Sequence, residues 1–78
     1  MTSEILSPQE YVAQHKRAFR EGFDFLNAHF PPECSSEYWD RTYKDLNEVL
    51  ARNDGNGMLR EMMMSVVAYL DKEAKKRR

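Results

Sequence analysis

Residues 58–70, MLREMMMSVVAYL, constrain this chain more than any other stretch, because ten of the thirteen are apolar or small. Wound at ~100° per residue, Met58, Leu59, Met62, Met63, Val66, Val67, Tyr69 and Leu70 cover about half of a helix circumference. That arc is wider than the ~100° stripe of a surface helix, so two neighbouring elements are needed to cover it. Arg60, Glu61, Ser65, Ala68, Asp71 and Lys72 take the other side, and Met64 falls among them. Strict alternation is absent and the run is long, which excludes a strand.

Two breakers cut the chain into three helical segments. Ser7-Pro8-Gln9-Glu10 is a start signal: Ser7 caps, Pro8 suits the first helical position and Glu10 closes a capping box, with Ile5 or Leu6 available as a hydrophobic staple. The helix is expected to end near Phe30, because Pro31-Pro32 cannot continue it. A second helix, capped by Ser35 or Ser36, carries Tyr38, Trp39, Thr42, Tyr43, Leu46, Val49 and Leu50 on one stripe. Residues 53–57, NDGNG, break it in a sequence that tolerates positive φ. The pattern predicts an all-α single domain, an antiparallel three-helix bundle with helices at about 8–30, 36–52 and 57–75, a loose arm at 1–6 and a frayed basic tail at 76–78.

Tyr11, Val12, His15, Ala18, Phe19, Gly22, Phe23, Phe25, Leu26, His29 and Phe30 share one side of the first helix. Its four phenylalanines are expected to supply much of the core. Gly22 costs ~1 kcal/mol against alanine in mid-helix, and its place on the apolar side implies close helix approach or a side chain packed over it.

No segment commits the chain to a reaction. The residues of NDGNG do not match a calcium loop: with Gly57 as the invariant glycine, Arg52 and Met63 occupy positions that require carboxylates. His15 and His29 stand fourteen residues apart, about 21 Å along a helix, so one metal cannot take both. Cys34 precedes a helix N-terminus, with His29 ending the helix before it, but Glu33 and Glu37 disfavour a thiolate and no orienting third group is evident. The carboxylates of the second helix alternate with cations in i,i+4 pairs such as Glu37/Arg41, Asp40/Lys44 and Glu48/Arg52, a solvated face. The expectation is therefore no enzyme, no cofactor and no metal.

A single cysteine excludes an intrachain disulfide and suits a reducing compartment, so a cytoplasmic location is expected. The first residues hold Glu4 and no apolar core, unlike a signal peptide, and the longest fully apolar run, residues 66–70, is far short of a ~20-residue membrane span. Net charge is −1, which gathers neither nucleic acid nor an anionic membrane over the whole molecule.

Interaction is the remaining function class. A chain of 78 residues carries more apolar side chains than it can enclose, since a domain this small buries only ~60% of its surface. Tyr11, Phe25, Tyr38, Met58, Met64 and Tyr69 sit at or beyond the stripe edges, and aromatics and methionine are what interface cores favour. They are the candidate interface for a homodimer or another protein. The alternative is nucleic-acid binding through the basic tail, Lys72, Lys75, Lys76, Arg77 and Arg78.

Overall fold

A computed structural model describes residues 6–77, and their architecture is three helices with no strand. Helix α1 spans Pro8–His29, α2 spans Ser36–Arg52 and α3 spans Gly57–Lys76. They form an up-down-up bundle, with α1 and α3 parallel and making the most extensive contact. Ile5, one of the two staple candidates, lies outside the described residues; Leu6 is half-buried.

Each helix begins where its cap is. The Ser7 hydroxyl accepts from the Glu10 N–H at 3.2 Å, and the Glu10 carboxylate accepts from the Ser7 N–H at 2.8 Å, completing the box. Ser35, not Ser36, caps α2 by accepting from Tyr38 N–H. Asn56 caps α3 by accepting from Leu59 N–H at 3.1 Å. Its amide also donates to the Gln14 carbonyl of α1 at 3.0 Å, so one buried side chain starts a helix and fixes it to its neighbour. Gly55 takes φ +88° in the turn between α2 and α3, a conformation that favours glycine.

Asn56→Ala removes both contacts. The expected loss is about 2 kcal/mol, with Asn56→Asp, which keeps the cap acceptor, losing about half of that. Urea denaturation followed by circular dichroism measures both, and equal losses for the two variants would show that the cap is not the main contribution.

The core runs along α3, where Leu59, Met63, Val67, Leu70 and Ala74 are buried at spacings of three and four. From α2, Tyr38, Thr42, Leu46 and Val49 meet it. From α1 the buried line is Ala18, Gly22, Phe25 and His29. Only Phe25 of the four phenylalanines is buried, which corrects the expectation that the aromatic-rich face as a whole fills the core. Gly22 shows why. A Cβ built on it would stand 2.7 Å from Met62 Sδ. Ala18 and Gly22 let α3 approach closely, and that closeness turns the small-residue line of α1 inward.

Two helix ends differ by one residue from the sequence expectation: α1 stops at His29, and α3 continues through Lys76, where Arg77 closes it by donating its backbone N–H to the Ala74 carbonyl at 3.1 Å. Arg78 lies outside the described residues.

Candidate functional site

Turning the small line of α1 inward leaves a second line outside. Val12, Phe19, Phe23 and Phe30 are 51%, 60%, 62% and 40% exposed. At ~100° per residue these four fall within about 40° of one another, roughly 110° around the helix from the buried line. Half-buried Leu26 lies beside them and packs against the core. Residues 12, 19, 23, 26 and 30, with Lys16 in the gap, step by three and four, the period of a helix-pairing seam. Helix α3 extends the apolar margin. Tyr69 stacks on Phe30, with ring centroids 6.3 Å apart and planes 14° apart. The Arg77 guanidinium sits 5.1 Å from the Phe30 ring centroid on the same margin.

The predicted interface residues divide. Tyr11, Met58, Met64 and Tyr69 are exposed. Phe25 and Tyr38 are not, each being only 5% exposed, and they leave the candidate surface. Phe25 lies on the inner line of α1, its ring 4.5 Å from that of His29. Tyr38 is held by donating its hydroxyl to the His29 carbonyl at 2.6 Å. Burial pushes the Tyr38 phenol above its ordinary pKa. Met64 lies on the far side of α3 from Met58 and Tyr69, by helical projection. Sequence reading missed Phe19 and Phe23, which it assigned to the core. The signal that separates them from Phe25 is the small pair Ala18 and Gly22, which marks the inward line.

The polar candidates are absorbed by structure. His29 is buried, with Nε2 donating to the Asp45 carboxylate at 3.0 Å and Nδ1 3.2 Å from the Thr42 hydroxyl oxygen. Both ring nitrogens are engaged, so neither is turned to Cys34, whose thiol donates instead to the Ala74 carbonyl at 3.5 Å. His15 is exposed and tilts against Tyr11. Among the described residues no three His, Cys, Asp or Glu side chains are placed to share a metal ion. In the same residues no helix is long and apolar enough to cross a membrane.

The basic tail spends its charge locally. Lys75 pairs with Asp71, and Lys76 and Arg77 both pair with Glu73, each at 3.1 Å. Hydrogen bonds from Lys76 and then Arg77 hold the Glu73 carboxyl below its ordinary pKa. Of the four described tail cations, Lys72 alone has no ion pair among the described residues. The concave surfaces are shallow and wet. One lies along α1 between Lys16, Arg20 and Asp24; another lies at the α2–α3 turn around Leu50 and Arg60. Neither brings together a nucleophile and a base. No family model matches the chain, and neither does any curated protein or solved structure.

Proposed function

We propose that this protein is a self-associating helical module that acts through the outer face of α1 and has no catalytic role. The observation that carries the reading is the exposed line of Val12, Phe19, Phe23 and Phe30. Single exposed apolar residues are ordinary on soluble proteins, but Val12, Phe19 and Phe23 in register on α1, with Phe30 at its C-cap, form one line. At ~150–250 Å² per aromatic side chain, the exposed parts of Phe19, Phe23, Phe30 and Tyr69 amount to roughly 400 Å². That is about half of the ~800 Å² each partner contributes to a standard interface, and Val12 extends the line towards the start of α1. A cytoplasmic location is the reading we adopt on the single cysteine, Cys34. Nucleic-acid binding is the weaker reading, because the tail cations are offset by Asp71 and Glu73.

Sedimentation equilibrium over a concentration series tests this. The expected mass rises from the 9.2 kDa of one chain towards twice that value. The double variant Phe19→Ser/Phe23→Ser is expected to stay at the mass of one chain with its helicity unchanged. A wild-type protein that remains a monomer at high micromolar concentration overturns the proposal.

A further inference from the structure

We infer that the occupant of the outer α1 face is α1 of a second copy, packed antiparallel, with the two-fold axis crossing the helices at the level of residue 21. This rests on the self-association proposed above and adds its geometry. The outer line reads the same in both directions about residue 21. Reversing one copy sets Val12 opposite Phe30, Phe19 opposite Phe23 and Lys16 opposite Leu26. Every apolar member then meets either another apolar side chain or the methylene stem of Lys16, which can lie along Leu26 while its ammonium reaches water. The small Val12 faces the large Phe30, as interdigitation requires.

Charge selects this direction over the parallel one. Lys16 and Arg20 stand on one flank of the outer line, and Asp24 stands farther round the same flank. None of the three makes an ion pair among the described residues. A two-fold axis perpendicular to the helices brings like flanks together. It sets Asp24 of the second copy level with residue 18, midway between Lys16 and Arg20 and about 3 Å along the axis from each. The contact occurs twice by symmetry. Parallel packing would instead bring opposite flanks together, setting Lys16 level with Lys16 at the seam, where like charges repel, and turning Asp24 away from the cations of the second copy.

A nitroxide attached at position 9 reads the direction, using Gln9→Cys in a Cys34→Ser background. Residue 9 lies on the first turn of α1 and is exposed. Antiparallel packing about residue 21 places the two labels about 36 Å apart along the axis, whereas parallel packing places them within roughly 20 Å. A double electron–electron resonance distance near 36 Å is the expected result. A short distance in a protein of dimer mass overturns the antiparallel register while leaving self-association standing. No dipolar coupling together with the mass of one chain overturns self-association itself. Charge exchange provides a second readout. Asp24→Lys is expected to weaken association roughly tenfold, and adding Lys16→Glu and Arg20→Glu to the same chain is expected to restore most of it. Equal association by the wild type and Asp24→Lys would overturn the assigned pairing.

Discussion

Phe25→Ala is expected to destabilise the protein by about 3–5 kcal/mol, while Phe23→Ala, the same chemical change two residues away, is expected to cost under about 0.5 kcal/mol in the monomer. Phe25 is buried on the inner line of α1, and its ring packs against that of His29. Removing it takes away its transfer free energy and leaves a cavity that a close-packed bundle cannot collapse into. Phe23 is mostly solvated, so truncation removes little buried area. A chain of this length has a total stability of about 4–12 kcal/mol, so Phe25→Ala approaches global unfolding. Urea denaturation at low micromolar concentration, below association, measures both variants. Similar losses for the two would mean that the rotation of α1 about its axis is wrong, and the outer-face proposal would fall with it.

His29→Ala is expected to cost about 3 kcal/mol. The ring donates to Asp45 through Nε2, holds Nδ1 3.2 Å from the Thr42 hydroxyl oxygen and packs against Phe25. Each bond contributes ~1 kcal/mol net, and the lost buried ring adds a comparable amount. Thr42 keeps a partner, because its hydroxyl also reaches the Tyr38 carbonyl at 2.8 Å, and Asp45 can rehydrate from its half-exposed position. The loss therefore stays below that of a buried charge left unpaired. His29→Phe fills the volume without the bonds and is expected to recover no more than about half. Denaturation midpoints of the two variants separate packing from hydrogen bonding. A histidine held for chemistry instead of structure would leave stability unchanged in both, and that result would reopen the pairing with Cys34.

Much of the architecture was legible from local rules. Ser7 with Glu10, Pro31-Pro32 and NDGNG placed three helices to within one residue at each end, because caps and breakers act on the backbone within one turn. Legibility was partial for the exposed apolar surface. Tyr11, Met58, Met64 and Tyr69 are exposed as expected, while Phe25 and Tyr38 are buried and Phe19 and Phe23, expected in the core, are exposed. The buried role of His29 was likewise not readable, since its partners Thr42 and Asp45 lie thirteen and sixteen residues on, in another helix.

The sequence by itself determined that there are three helices, where each begins and ends, and that α1 has an apolar side. Tertiary structure alone decided which part of that side is core. The apolar arc of α1 is wider than any one contact, and period alone cannot divide it, because both lines repeat at three and four. Close approach between α1 and α3 divides it: Gly22 admits Met62 where a larger residue would hold the helices apart. The bundle gains contact by burying the line with the small residues, and that rotation carries Phe19 and Phe23 out to the surface.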